Sequence, residues 1–239
     1  MGYWIEAKAS YESEKNELRL RDVILKVKNF LLRSDETMID YLVALKVKIS
    51  ENDDIPLERK AEITSKIDAD ISWLESKKTQ INGASTRQEV ISLSRELKDK
   101  WQDIKPRERI YVGIFLSYKL NGILNKADNL SERIQNIIED LRGQGKDTTL
   151  LEELLVDYNA KIRASQEARV KAIEAFSNEN ALDREARISL GMQYILDSQT
   201  SLKQAHGDLR EILKIVKDYK VDITTKASVQ AQGDLNAQI

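Results

Sequence analysis

The chain has no cysteine, two prolines, nine glycines and a single histidine in 239 residues. Each shortage excludes something. Without cysteine there is no disulfide, no thiolate nucleophile and no cysteine-ligated zinc or iron–sulfur centre. The compartment stays open, because a cysteine-free chain works in either redox environment. So little proline and glycine speaks against a β-sandwich or an α/β fold with its glycine-rich turns. One histidine cannot supply the paired Glu-x-x-His motifs of a di-metal bundle. Neither sign of charge dominates: 38 basic residues stand against 40 acidic ones, for a net charge of -2. No basic surplus is there to neutralise phosphates, so no nucleic-acid partner is expected. Long hydrophobic runs are missing too. No stretch reaches the roughly 18 apolar residues that a membrane span needs, and MGYWIEAKAS lacks the basic start and apolar core of a secretory signal.

What is present is charge in helical rhythm, with 33% of residues Asp, Glu, Lys or Arg. Apolar residues recur at steps of three and four, the period of a helix with one buried face. The pattern predicts five helices. The first runs from about Ile5 to Ser50 on a ladder of Leu20, Val23, Val27, Phe30, Leu31, Met38, Leu42, Leu45 and Ile49, carried across Ser34-Asp35. Pro56 opens the second, which follows Ile63, Ile67, Ile71, Leu74 and Ile81 and ends at Asn82-Gly83, residues that tolerate a left-handed stop. Thr86 and Glu89 have capping-box spacing at the start of the third. It carries Val90, Leu93, Leu97, Trp101 and Ile104, meets Pro106, and resumes through Leu120, Ile123, Ala127, Leu130, Ile134, Ile137 and Leu141. Proline removes one helical hydrogen bond and crowds the preceding turn, so a kink is expected there and not a clean end. Gly143-Gln144-Gly145 reads as a stop, with Asp147 as the next cap. The fourth helix shows Leu151, Leu155, Tyr158, Ile162, Ile173 and Phe176. Asp183 caps the fifth, which shows Met192, Ile195, Leu202, Leu209, Leu213 and Val216.

The two halves repeat this order of helix, turn, helix, turn, helix, and RQEVISLS (87–94) echoes REARISLG (184–191). The expected fold is therefore all-α: elongated antiparallel helical bundles, two three-helix bundles sharing a long central helix. That helix would span roughly 80 Å at about 1.5 Å per residue. The competing fold is a compact multi-helix bundle, folded back at Pro106. The expected divisions are a weakly patterned helix extension over 1–17, a first bundle over 18–109, a second over 110–220 and a flexible tail over 221–239. In architecture alone this resembles tandem spectrin repeats.

Several phrases carry a closer resemblance: KIDADISWLESKKTQI (66–81), STRQEVISLSRELKDKW (85–101), GQGKDTTLLEELLVDYNAKI (143–162) and AHGDLREIL (205–213). They are similar to segments of uncharacterised archaeal helical proteins, which typically carry an export signal and sometimes a polar stalk or membrane anchor. The resemblance implies a cell-surface or secreted location and no chemistry. This chain departs from that pattern in showing neither signal nor anchor.

No glycine-rich phosphate loop, G-x-S-x-G or H-E-x-x-H is present, so no catalytic, cofactor-binding or metal-binding residue is expected and the protein reads as a non-enzyme. Asp68 and Asp70, two apart on a helix, point in different directions and read as a solvated face, as do Glu152-Glu153. His206 and Gln199 fall on the fifth helix's seam when it is counted from Ile195. They form a candidate polar layer, either pH-sensitive or setting helix register. Tyr3, Trp4 and Trp73 are candidate contacts for a protein partner, while Trp101 reads as core. From Ile110 to Tyr118 no residue is charged. Pro106, Ile110, Val112, Ile114 and Phe115 mark this run as the expected junction where two bundles meet, covered by Ile55, Leu57, Phe176 and Leu182. The function that fits is a rigid helical spacer or scaffold, on the surface or secreted. The alternative is a cytoplasmic coiled-coil adaptor or chaperone-like binder. The pattern leaves homo-oligomerisation open.

Overall fold

The structure is a computed structural model that describes residues 2–178 and 183–219, with residues 2–13 described as helical backbone alone. It is all-α: α1 (Gly2–Glu51), α2 (Leu57–Gly83), α3 (Arg87–Gly143), α4 (Thr149–Ser177) and α5 (Arg184–Asp218). The expected tail over 221–239 and Leu182 lie outside the described residues. The chain divides into two compact units. The first holds residues 1–51 and 56–108, the second 52–55 and 109–239. The division falls inside α3, which contributes a helical segment to each.

Local chemistry sets the helix ends. At the start of α3 the Thr86 hydroxyl accepts from the Glu89 amide at 3.2 Å while the Glu89 carboxylate accepts from the Thr86 and Ser85 amides at 2.9 and 2.7 Å. Those amide bonds hold the Glu89 carboxyl below the usual range. The capping box read from the sequence is thus formed. Thr86→Ala is expected to lower the stability of the first unit by about 1 kcal/mol. Urea unfolding followed by tryptophan fluorescence measures it, and an unchanged midpoint would show the cap idle. Asp183 caps α5 through the Ala186 amide at 2.9 Å. Asp147, the expected cap of α4, lies one residue before the cap position, which Thr148 holds without a side-chain bond to the helix amides; Asp147 accepts from the Thr149 amide at 3.0 Å. At the end of α3, Gly145 adopts φ 73°, the Lys146 amide reaches the Leu141 carbonyl at 3.1 Å, and the Gly145 amide reaches Arg142 at 2.9 Å. That pair of bonds is a Schellman stop, and the left-handed residue in it favours glycine. The end of α2 is different. It stops at Gly83 as expected, but through an extended Ala84 and not a left-handed residue. The Lys28 ammonium supplies what is missing, donating to the Asn82 and Ala84 carbonyls at 2.8 Å each. A cation at a helix C-terminus also meets the negative end of the helix dipole. Through Pro106, α3 continues as one helix of 57 residues.

In the first unit, Glu36 pairs with Lys78 and Lys46 with Asp68, each at 2.6 Å, so α1 and α2 run antiparallel. Lys77 on α2 meets Glu96 on α3 at 2.5 Å, while Asp70, earlier on α2, meets Arg107, later on α3, at 3.0 Å, so α2 and α3 are antiparallel as well. It follows that α1 and α3 run parallel. The core is made of Leu31, Leu42, Leu45 and Ile49 with Ile63, Ile67, Leu74, Ile81, Val90, Leu93, Leu97 and Ile104. Five residues of the expected α1 ladder are not in it: Leu20, Val23 and Phe30 are 44, 54 and 68% exposed, and Val27 and Met38 are half-buried. Leu20 and Val23 lie beyond the end of α2, which meets α1 at Lys28, while Phe30 stands off the buried face beside Leu31. Ile71 and Trp101 are half-buried at the edge of the core.

In the second unit the buried Tyr158 hydroxyl on α4 donates to the Ala127 carbonyl of α3 at 3.0 Å. Burial pushes that phenol far above its ordinary range. On α4 and α5 the seam is built from small residues. Ser165, Ala168, Ala172 and Ala175 face Gly191, Ser198 and Ala205, all buried. The Ser165 hydroxyl donates to the Ser198 carbonyl at 3.0 Å and lies 2.7 Å from the Ser198 hydroxyl. Small side chains let the two backbones approach, and the hydroxyl pair satisfies itself inside. Arg187, itself buried, donates to the Ala175 and Phe176 carbonyls and closes the C-terminus of α4 from α5. These are the carbonyls a helix end leaves without amide partners. The sequence reading differs here by one position in four places. Ile138, Ala172 and Ile212 are the buried residues where Ile137, Ile173 and Leu213 were expected, and Met192 is half-buried beside the buried Gly191.

Candidate interaction surface

The residues singled out in the sequence sit as follows. Trp73 is half-buried, its ring beneath two ammonium groups, Lys77 at 5.2 Å and Lys100 at 5.4 Å from the centroid. Those cation–π contacts tie it to its own unit. Asp70 is not on a solvated face. It is 4% exposed and held by Lys100 and Arg107, while Asp68 is exposed and bound to Lys46. The side chains of Tyr3 and Trp4 lie outside the described residues, although both positions are helical in α1.

In the uncharged run of α3, Ile110, Tyr111, Gly113, Ile114 and Ser117 are buried, and Val112, Phe115, Leu116 and Tyr118 are half-buried, as is Pro106. No residue of the run is exposed. Gly113 is where Phe176 arrives from α4: a Cβ built there would lie 2.2 Å from the ring. Ile55 is buried as well, but Leu57, expected as part of the cover, is 83% exposed.

Gln199 and His206 stand half-buried beside the α5 seam, which passes through Ser198 and Ala205. Close approach of α4 requires small residues on the contact line itself. The polar layer in this core is accordingly the Ser165–Ser198 pair. His206 Nε2 is buried without a partner among the described residues. Burial, then the neighbouring Arg210 charge, holds the imidazole below its ordinary range, so it is neutral at pH 7.

Two features were not singled out in the sequence. Asp35 is fully buried on the α1 stripe, and neither carboxylate oxygen has a hydrogen-bond partner among the described residues. Burial pushes its carboxyl up to about 6; the Lys78 charge pulls it down and the Glu36 charge adds to the rise. Its signal is plain in retrospect, an acid four residues after Leu31 and three before Met38.

The second is a groove of about 660 Å³ formed by α1 and α3 alone in the first unit, lined by Arg19, Leu20, Val23, Ile24, Val27, Arg87, Val90, Ile91, Ser94 and Arg95. Its geometry follows from the parallel pairing. Tyr41 on α1 donates to Glu108 on α3, a sequence separation of 67. Farther toward the N-termini the groove separates the two helices, and its apolar edges, Leu20 and Val23 on α1 and Ile91 on α3, stay open to water. Ile91 is 40% exposed, and Leu18 and Leu25 on neighbouring turns of α1 are exposed too. Arg19, Arg87 and Arg95 border this strip, and none pairs with a carboxylate among the described residues.

Among the described residues no group of acids and histidine is placed to hold a metal ion, and no helix is long and apolar enough to cross a membrane. Comparison with protein-family models, curated proteins and solved structures finds no match.

Proposed function

We propose that the chain is a non-enzymatic structural or interaction module, a stiff helical spacer that carries binding surfaces. The observation that supports this most is α3: one helix of 57 residues supplies a segment to both compact units and continues through Pro106. A shared helix leaves no loop between the two segments, and that continuity is what a spacer needs. A surface or secreted location belongs to this reading and rests on the sequence resemblance.

The test is a pair of spin labels on exposed α3 positions, Lys98→Cys and Glu132→Cys. The chain has no cysteine of its own, so labelling is unique. The helix rise places the two sites roughly 50 Å apart, and a single narrow distance population is expected. A broad or double population would show that α3 bends freely and would end the spacer reading.

A second reading, a coiled-coil adaptor or chaperone-like binder in the cytoplasm, is favoured by a separate observation. The α1/α3 groove leaves apolar side chains uncovered on an otherwise charged surface, the kind of patch that marks a docking site.

A further inference from the structure

We propose that the α1/α3 groove docks an amphipathic helix with acidic residues flanking its apolar stripe, supplied by a protein partner. The inference rests on the reading of the chain as an interaction module. Three observations favour this occupant. The first is shape. Leu20, Val23, Ile24 and Val27 on α1, at helical spacings of three and four, and Val90 and Ile91 on α3 line one groove between two parallel helices. A third helix with the same spacing fits its apolar residues into such a strip, the helix-in-groove mode of recognition. The second is exposure: Leu20, Val23 and Ile91 are each at least 40% exposed, so covering them gains hydrophobic free energy that the unit itself does not use.

The third is charge. Where α3 faces α2, basic groups meet carboxylates: Lys77 pairs with Glu96, and Lys100 and Arg107 with Asp70. Along the groove they do not. Arg19, Arg87 and Arg95 flank the strip from both helices without a carboxylate partner among the described residues. Arginine at the edge of an apolar seam is suited to carboxylates at the flanking positions of an incoming helix, where such pairs set partner choice. A basic or neutral helix would leave the three charges repelled or unmatched.

The experiment measures fluorescence anisotropy of a labelled peptide of about three heptads, leucine at the apolar positions and glutamate at the flanks, against the full chain. Saturable binding is expected, weakening as salt screens the charges. The same peptide with lysine at the flanks is expected not to bind. Replacing Arg19, Arg87 and Arg95 together by glutamine should weaken binding by about tenfold, the sum of three exposed charge pairs. Val23→Asp should abolish it while circular dichroism is unchanged, because Val23 is already 54% exposed. Equal binding of the two peptides, binding indifferent to Val23→Asp, or no binding at all would overturn the proposal. So would a concentration-dependent dimer in sedimentation that Val23→Asp dissolves, which would give the groove to a second copy. None of these touches the spin-label distance, so failure here and failure of the spacer reading are separate outcomes.

Discussion

Asp35→Leu is expected to stabilise the first unit by about 3 kcal/mol at pH 7, with about half of that gain gone at pH 5. The carboxyl is fully buried and neither oxygen is hydrogen-bonded among the described residues. A charge taken from water without a partner is among the costliest things a fold can bury. The protein's response is to resist ionisation, so the group titrates near 6 when folded instead of near 3.8. Each unit of such a shift corresponds to about 1.4 kcal/mol. The sign follows from linkage. The folded state holds the proton more tightly than the unfolded state, so the associated stability is present below the unfolded value and lost as pH rises through 6. At pH 7 the unfolded chain carries the charge in water while the folded chain carries it inside, and the leucine variant removes that difference. At pH 5 the folded wild type is largely protonated and the gap narrows. Asp35→Asn should lose the same pH dependence without the leucine's gain in packing. Trp73 and Trp101 are half-buried in the first unit, so their fluorescence follows its unfolding. A stability difference between Asp35→Leu and wild type that is identical at pH 7 and pH 5 would show that Asp35 is not an ionised buried group.

Asp35 also shows what the sequence carried and what it did not. A ladder of apolar residues at steps of three and four locates a helix and its buried face, and all five helices were legible that way. So were the ends that depend on local chemistry: Thr86 with Glu89, Asp183, and the glycines at 143–145. Each is decided within a few residues. What the ladder does not encode is how closely a partner helix approaches, or whether one is there. Counting by large apolar side chains put Gln199 and His206 on the α5 seam. The actual contact line, one residue earlier, runs through Ser198 and Ala205, because α4 comes close only where side chains are small. Apolar periodicity scores serine and glycine as gaps, and here the gaps are the contact. The same blindness places Leu20 and Val23 in a core. Their spacing says that the face is apolar, but α2 ends near Lys28, and only the fold shows that the strip is left open. The groove was thus written in the sequence as a ladder and misread as interior.

Gly113→Ala and Gly191→Ala, separately, are each expected to cost the second unit about 1–3 kcal/mol, the range for overpacking a filled core. The cost should come despite the better helix propensity of alanine, worth about 1 kcal/mol. Phe176, fully buried at the end of α4, brings its ring against α3 and α5 at once. A Cβ on Gly113 would lie 2.2 Å from the ring, and one on Gly191 would lie 2.5 Å from it. Neither distance is tolerable, and the ring cannot escape one glycine without moving onto the other. Its backbone is fixed as well, since Arg187 holds the Phe176 carbonyl. Three distant positions therefore form one steric unit, which explains a glycine in the middle of two long helices where propensity alone would disfavour it. Phe176→Ala should cost about 3–5 kcal/mol by leaving a cavity. The decisive measurement is the double mutant. In a Phe176→Leu background the ring tip is gone, so Gly113→Ala should become neutral or stabilising, a coupling of well over 1 kcal/mol between residues far apart in sequence. If the alanine costs the same with leucine as with phenylalanine, the clash is not what keeps glycine at 113, and the small-residue seam must be explained by the approach of the helices alone.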